Sequence, residues 1–333
     1  MRGIFRTVLC LIAIFASPAT TFARPPTGPY QSFRIKTDNI PQAEIDGWVL
    51  PASHPRGTVF VLHGYNMNKD HMVGWEWMRD REHWNVVMFD FRQHGHSTRN
   101  VRLCTLGYYE IWDVKAAVDH AQSLHLAKPY VIYGTSMGAA VGLRWAGMDS
   151  RISGVLAVSP YKNAYVASQE LPAARLHIDI LPSPFALSLG FRNMLEQVDI
   201  LQAVAKRNDL RIWILSGGRD CFTPEDQREI LAASRSPESL KRLVIAPGFK
   251  HGQLWAFKGD ATHPSHDQYI HDFLAVSQRD SARSVVPWVM GLGLAFGAGL
   301  MGLVIFVRRM RPVSTQAAPE LPPPASAVDA QDE

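Results

Sequence analysis

Hydrophobic and polar positions follow two different patterns over most of the chain. Short apolar and β-branched runs, of which Thr58–Leu62 is the clearest, are typical of strands buried in a parallel sheet. Segments such as Glu110–Leu124 instead repeat apolar residues at helical spacing, which gives them one apolar face. The predicted strands are Ser32–Lys36, Glu44–Leu50, Thr58–Leu62, Trp84–Phe89, the run that begins at Tyr130, Ile152–Val158, Leu210–Leu215 and Leu240–Ile245. The predicted helices are about Met67–Arg81, Glu110–Leu124, the segment after Ser136, Pro224–Ala233 and His266–Val276. This alternation predicts an α/β domain with a mostly parallel sheet and right-handed crossovers.

The N-terminal segment has the pattern of a secretory signal. Arg2 and Arg6 precede an apolar run from about Val8 to Phe15, and small residues then offer cleavage sites after Ala19 or Ala23. An uncleaved anchor is the alternative, although the apolar run is short for a membrane span. We therefore expect residues 1–23 to be a signal peptide and the folded domain to begin near residue 24.

A second apolar segment follows the predicted domain, 24–281. Val285–Val307 carries no charge over about 23 residues, which is long enough to cross a bilayer. Arg308, Arg309 and Arg311 follow at once, and basic residues beside a span are retained in the cytoplasm. The alternative is a buried core helix. We expect a transmembrane helix at 285–307, a disordered cytoplasmic tail at 308–333, and a domain that is periplasmic or extracellular.

Small residues within this apolar segment bear on oligomeric state. They recur at the spacing found where two membrane helices pack together. They are Gly293, Gly297, Ala298 and Gly302. This spacing points to a homodimer contact, but glycine is common in membrane helices, so the sequence leaves the oligomeric state open.

Composition limits the chemistry that the domain can carry. The 333 residues have a formal net charge of only +4, so no nucleic-acid-binding surface is expected. The three cysteines form neither a metal-binding spacing nor a disulfide framework. Export would place Cys104 and Cys221 where a disulfide can form, and the sequence leaves their pairing open.

The segment from Tyr130 to Ala140 is the strongest candidate for chemistry. A β-rich run passes through Gly134-Thr135-Ser136-Met137-Gly138 into small residues at helical spacing. A nucleophile elbow requires this order of strand, tight turn and helix, with serine at its apex. Glycine at both ends of the motif lets the strand and the helix approach closely. Ser136 is therefore predicted to be a nucleophile.

A serine nucleophile needs a base, an orienting acid and an oxyanion hole. On this layout the acid and then the histidine follow the serine, each in a loop after a late strand. Asp220 follows one predicted strand and a glycine pair, whereas Glu225 and Asp226 would lie within the next helix. His251 follows the last strand. The later histidines His263, His266 and His271 are expected to be surface residues.

The predicted oxyanion hole uses two backbone N–H groups. One belongs to Met137, the residue after the nucleophile. The other comes from the turn His63-Gly64-Tyr65, which follows the third predicted strand, and Tyr65 is the expected donor. No metal or organic cofactor is needed for this chemistry.

Taken together, these motifs resemble the α/β-hydrolase superfamily, in the branch of serine-aminopeptidase-like, monoacylglycerol-lipase-like and carboxylesterase proteins. The resemblance runs from about Phe33 to Val276 and also includes Asp90-x-Arg92-x-x-Gly95-x-Ser97. It implies an eight-stranded sheet with the second strand antiparallel, and a cap at about 160–205 after the sixth strand. It also implies a structural role for the acidic and basic residues that match this branch. They are Asp90, Arg92, Glu110 and Asp113.

The sequence therefore predicts a serine hydrolase that cleaves a small ester or acyl substrate. The cap is mainly apolar, which favours acyl or aromatic groups. A peptidase or amidase is the first alternative, with Glu170 or Asp179 as candidate groups to bind a substrate amine. The second is a non-catalytic binding protein on the same fold. The natural substrate, its chain length and the preference for ester over amide stay open.

Overall fold

The computed structural model describes residues 25–99, 104–170 and 186–295. Two compact units divide the chain, Met1–Ala282 and Arg283–Glu333. The strands are β1 (Gln31–Lys36), β2 (Glu44–Leu50), β3 (Thr58–Leu62), β4 (Asn85–Phe89), β5 (Tyr130–Thr135), β6 (Ile152–Val158), β7 (Arg211–Gly217) and β8 (Lys241–Ala246). The α-helices are α1 (Trp77–Asp80), α2 (Glu110–Ser123), α3 (Met137–Ala146), α4 (Ala164–Glu170), α5 (Ala186–Glu196), α6 (Ile200–Val204), α7 (Pro224–Ala233) and α8 (His266–Ala295). Short 3-10 helices lie at Lys69–Glu76, Glu238–Leu240 and Leu254–Ala256.

The eight strands form one sheet in the order β1-β2-β4-β3-β5-β6-β7-β8. Strand β2 is antiparallel to both its neighbours, and the other neighbouring pairs are parallel. Every residue of β3, β4 and β7 is buried, as expected for strands covered on both faces. The predicted mostly parallel sheet with an antiparallel second strand is confirmed.

Two apolar layers cover the sheet and bring the predicted site elements together. One layer contains residues of α2, α3 and α7, and the other contains residues of α8 and the segments around Met72 and Leu254. Gly134 in β5 is in register with Leu62 in β3 and Ala157 in β6. Because parallel strands end at the same edge, the turn after β5 lies beside the ends of β3 and β6.

Two predicted helices differ from the observed ones. The segment predicted as a helix over Met67–Arg81 forms a 3-10 helix at Lys69–Glu76 before α1. Its start is set by Asn68, which forms a reciprocal cap with His71, and Gly74 lowers the α-helical propensity of the segment. Helix α8 continues past the predicted end at Val276, and residues 277–284 directly after that point include no glycine or proline.

Several predictions concern residues outside the described ranges. The predicted signal peptide, 1–23, lies there, as do residues 171–185 of the predicted cap and residues 296–307 of the predicted span. Helices α4, α5 and α6 occupy the described parts of the chain between β6 and β7. Within the ranges that the structure describes, none of the helices has both the length and the apolar character required to cross a bilayer.

Candidate active site

The turn between β5 and α3 holds Ser136 in a conformation that few residues with a side chain adopt. Its backbone angles are φ 51° and ψ −114°. A Cβ at Gly134 would lie 2.5 Å from the Gly138 carbonyl oxygen, and one at Gly138 would lie 2.6 Å from the His63 carbonyl oxygen. Both glycines are therefore required for strand, helix and neighbouring loop to pack this closely. The arrangement is the strained elbow that the motif predicts.

The structure brings the three predicted triad residues into one hydrogen-bonded series. His251 Nε2 lies 2.9 Å from Ser136 Oγ, and His251 Nδ1 lies 2.9 Å from Asp220 Oδ1. Asp220 follows β7 and His251 follows β8, so each side chain comes from the carboxyl edge of the sheet. Because the Asp220 carboxylate accepts from Nδ1–H, the neutral imidazole has Nε2 free to accept the serine proton.

Asp220 is held as a carboxylate by further donors. Its side chain is fully buried, the Ser159 hydroxyl donates to Oδ2 at 2.5 Å, and the Phe222 N–H donates to Oδ1 at 3.0 Å. Burial acts to raise the pKa of Asp220, but the bonds from His251, Ser159 and Phe222 together lower it below its ordinary value. Asp220 is therefore ionised near neutral pH and can orient His251.

The loop after β3 lies against the nucleophile. A Cβ at Gly64 would lie 3.5 Å from Ser136 Cβ, so the turn that carries Tyr65 runs next to the serine. Met137 is the first residue of α3, and the first N–H groups of a helix have no acceptor within it. The two predicted oxyanion donors thus lie close to Ser136, Tyr65 in the turn beside it and Met137 directly after it in the chain.

Two buried histidines brace this loop from behind. The Phe91 N–H donates to His63 Nε2 at 3.0 Å, and His63 Nδ1 lies 2.8 Å from the Gly64 carbonyl oxygen. Burial, with His94 as the next cause, lowers the pKa of His63 to about 3. The neutral ring therefore donates from Nδ1 to the Gly64 carbonyl. The Asn66 N–H in turn approaches His94 Nε2 at 3.4 Å.

The charged residues predicted to be structural are buried in ion pairs and hydrogen bonds. Arg92 and Asp113 are fully buried and lie 2.7 Å apart. Glu110 accepts from the N–H groups of Thr105 and Gly107. These contacts connect the segment after β4 to α2, and the start of α2 to the loop before it.

Two groups of side chains have the geometry to share a metal ion among the described residues. One consists of Asp220, Cys221 and His251 and overlaps the triad; the other consists of Asp46, Asp90 and His96. In the second group a cation is already supplied by the protein. Lys69 Nζ lies 2.6 Å from Asp46 and 2.9 Å from Asp90.

The disulfide that the sequence left open is not formed. Cys104 and Cys221 are both free thiols. Cys104 Sγ lies 3.3 Å from Met137 Sδ, and Cys221 Sγ lies 3.5 Å from Asp220 Oδ1.

A cavity of about 670 Å³ lies beside the hydrogen-bonded residues Ser136 and His251. Its volume is within the range of small-molecule sites. Ser136, Ser159 and His251 lie in its wall. Most of the wall is apolar. These apolar residues are Met67, Met72, Trp75, Val158, Leu254 and Trp255.

One sequence-based prediction at this cavity is wrong. His266 was expected at the surface, but it is 1% exposed and lies in the cavity wall with Tyr133. Its position at the start of α8 suggested exposure. In the first turn His266 and Tyr269 are buried, while Asp267 and Gln268 between them are exposed. Ser159 was also missed, because a serine after a strand carries no distinguishing sequence signal.

Comparison with known proteins agrees with this architecture. Residues 57–195 match the family model described as the alpha/beta hydrolase fold. The Pyrococcus furiosus esterase Pf2001 superimposes with a TM-score of 0.57 at 22% identity, over 75% of this chain and 91% of that one. The chain has the α/β-hydrolase fold. The alpha/beta hydrolase GrgF from Penicillium sp. sh18 is similar too, with a TM-score of 0.56 and 19% identity over 76% of this chain and 99% of that one.

A curated relative matches a shorter stretch of this α/β-hydrolase-fold chain. The uncharacterized protein YqkD of Bacillus subtilis (strain 168) is 29% identical over 112 residues. The alignment covers 32% of this chain and 36% of the relative, so the chain spans about a third of that protein's length. The fold predicted from the motifs is thus confirmed, and the branch within the superfamily stays a prediction.

Proposed function

We propose that this chain is a serine hydrolase that cleaves a carboxylic ester. The observation that carries the proposal is the series Ser136–His251–Asp220, with both distances at 2.9 Å, at the wall of an apolar cavity. The serine, imidazole and carboxylate stand in the relation that nucleophilic acyl transfer requires.

The proposed reaction has two halves. Ser136 Oγ attacks the ester carbonyl carbon while His251 Nε2 takes its proton, and N–H groups of Tyr65 and Met137 bind the developing oxyanion. The ester C–O bond then breaks and His251 returns the proton to the departing alkoxide. Water, activated by the same nitrogen, attacks the acyl-serine; the acid is released and Ser136 regains its proton.

The lining of the cavity favours a neutral ester over a peptide. Among the described residues of its wall there is no aspartate, glutamate, lysine or arginine. A free substrate amine would therefore be desolvated without a carboxylate partner. Glu170 ends α4 and is exposed, while Asp179 lies outside the described residues. A peptidase or amidase stays the alternative hypothesis among enzyme activities.

A fluorophosphonate probe and a p-nitrophenyl ester series test the proposal. The wild-type chain should label with the probe and hydrolyse short p-nitrophenyl esters, and Ser136→Ala should do neither while staying folded. Aminoacyl anilides serve as the comparison substrates. Cleavage of anilides in preference to esters would favour the peptidase, and a folded protein that neither labels nor cleaves would favour the binding protein.

We also propose that the chain is exported and anchored by 285–307, with the hydrolase domain outside the cytoplasm. The support is the sequence pattern: an N-terminal export signal, an uncharged segment and then Arg308, Arg309 and Arg311. Fusions after Glu333 test it. Alkaline phosphatase should be inactive there and a cytoplasmic fluorescent protein bright; the opposite pattern would contradict this topology.

A further inference from the structure

The cavity contains one buried polar pair that the proposed reaction does not use. Tyr133 Oη lies 3.1 Å from His266 Nε2. Tyr133 is 2% exposed and His266 is 1% exposed, and both residues line the cavity that Ser136 lines. Buried polar groups are usually hydrogen-bonded, and these two bond to each other. Which of the two atoms donates determines whether the Tyr133 oxygen can still accept a hydrogen bond from a ligand.

The surroundings of His266 settle which atom donates. His266 Nδ1 lies 3.2 Å from Asp267 Oδ1, and an ionised carboxylate only accepts hydrogen bonds. The proton of the neutral ring therefore sits on Nδ1, and Nε2 accepts from the Tyr133 hydroxyl. Burial lowers the pKa of His266 and raises that of Tyr133, so neither ring is charged near neutral pH. The Tyr133 oxygen keeps lone pairs with which to accept a bond.

The residues around Tyr133 and His266 restrict the kind of ligand group that can donate to the Tyr133 oxygen. Trp75 packs against both rings, with centroids 5.2 Å from Tyr133 and 5.1 Å from His266. Met72 and Leu254 continue the apolar wall. A cationic donor would lose its hydration here without a counter-ion among the described wall residues, whereas a hydroxyl on an apolar or aromatic group would not.

We propose that Tyr133 is a specificity-determining residue that accepts a hydrogen bond from a hydroxyl on the apolar part of a neutral ester held in this cavity. His266 is its positioning residue, because its Nε2 accepts a hydrogen bond from the phenolic O–H and so turns the oxygen lone pairs away from the imidazole. The inference rests on the proposed function for the identity of the ligand as an ester.

Binding to Ser136→Ala tests the proposal without requiring turnover. The probes are two sets of three esters, each an unsubstituted parent with two hydroxylated analogues. They give four matched pairs, with the hydroxyl on the acyl side in one set and on the alcohol side in the other. The sets are ethyl 3-phenylpropanoate with its 3- and 4-hydroxyphenyl analogues, and 2-phenylethyl acetate with its 3- and 4-hydroxyphenyl analogues. Calorimetry on the full-length Ser136→Ala chain should show that a hydroxyl tightens binding about 3- to 10-fold in at least one pair.

Adding Tyr133→Phe should remove that preference and leave the affinity for the unsubstituted ester within about 2-fold. Tyr130→Phe is the matched control, since Tyr130 lies on the same strand and its hydroxyl donates to the Leu126 carbonyl oxygen. It should keep the preference. His266→Gln, whose amide oxygen can still accept a hydrogen bond from the phenolic O–H, should keep it as well, whereas His266→Leu should weaken it.

The outcomes separate this inference from the proposed function. No hydroxyl preference in any pair, in Ser136→Ala, would overturn the inference, and so would an equal preference after Tyr133→Phe. Wild-type turnover of the unsubstituted esters reports the proposed function independently. If the wild type neither labels with the fluorophosphonate nor cleaves any of these esters or the p-nitrophenyl esters, but the preference is present, the hydrolase proposal fails and the hydroxyl subsite stands.

Discussion

The strain at Ser136 gives a prediction whose magnitude can be worked out from the backbone. We compare Ser136→Gly with Ser136→Ala. Both variants lose the nucleophile and its 2.9 Å hydrogen bond to His251, so both should be inactive. They differ in that alanine keeps a Cβ at φ 51°, ψ −114°, whereas glycine adopts positive φ without that penalty.

Holding a residue in a sparsely populated backbone region costs about 1–3 kcal/mol. Glycine removes this strain, but it also lowers the stability by about 0.5–1 kcal/mol relative to alanine, because its backbone loses more conformational entropy on folding. The glycine variant should therefore be more stable than the alanine variant by about 1 kcal/mol, which is a rise in melting temperature of about 2–4 °C for a domain of this size.

Ser153 in β6 supplies the matched control. Its hydroxyl also makes a hydrogen bond, to the Tyr130 carbonyl oxygen at 3.1 Å, and it lies inside a strand. Here glycine should be less stable than alanine by about 0.5–1 kcal/mol. At each position the unfolding free energy of the alanine variant is subtracted from that of the glycine variant. The difference between the two results cancels the entropic cost of glycine and reports only the strain at Ser136.

Urea unfolding of the four variants, followed by circular dichroism, measures these differences. The opposite sign at the two serines is the expected result. Equal differences at Ser136 and Ser153 would show that no strain is stored at the elbow, and ester hydrolysis near the wild-type rate by both Ser136 variants would show that the nucleophile lies elsewhere.

Three further predictions follow from contacts around the site. Ser159→Ala removes a donor from the Asp220 carboxylate and should lower kcat/KM about 10-fold, since bonds to charged groups contribute about 1.5–3 kcal/mol. Because the pKa of Asp220 is lowered in the folded state, its carboxylate stabilises the fold above its unfolded pKa of about 3.9, and this stabilisation is lost as the pH falls. The difference in unfolding free energy between wild type and Ser159→Ala, measured in urea, should therefore be largest at pH 7 and decrease towards pH 2. Gly138→Ala should abolish activity and destabilise the fold because its Cβ would clash with the His63 carbonyl oxygen, whereas Gly190→Ala, with no atom of the described residues within 4 Å, should unfold no more easily than wild type. Lys69→Met should destabilise by about 3–5 kcal/mol, since it leaves the buried Asp90 carboxylate without its cation, and adding Asp90→Asn should recover part of the loss.

Much of the architecture could be predicted because it depends on patterns among residues that are close together in the chain. Continuous apolar runs such as Thr58–Leu62 are buried on both faces of the sheet and could be recognised without any partner strand. The elbow could be recognised for the same reason, since strand, glycine, serine and glycine are adjacent in the chain. Asp220 and His251 could be placed because a parallel sheet brings the ends of its late strands to one edge.

Other features depend on contacts between residues far apart in the chain, and no local pattern records them. Ser159 and Asp220 are 61 residues apart, and a serine after a strand looks like any other. The cavity wall combines residues near Met67 and Trp75 with residues near His251 and Leu254, whereas the sequence alone had pointed to the cap for substrate contacts.

His266 shows the difference most clearly. The sequence by itself determined that a helix begins near this residue, because apolar spacing and helix boundaries are local properties. Whether its first residue faces water or the core depends on what packs against it. The tertiary structure decided that question by bringing Tyr133, 133 residues away along the chain, within 3.1 Å of the imidazole. Hydrogen-bond partners of buried polar groups are set by the packing of whole elements, so they emerge only when the sheet and its helices have come together.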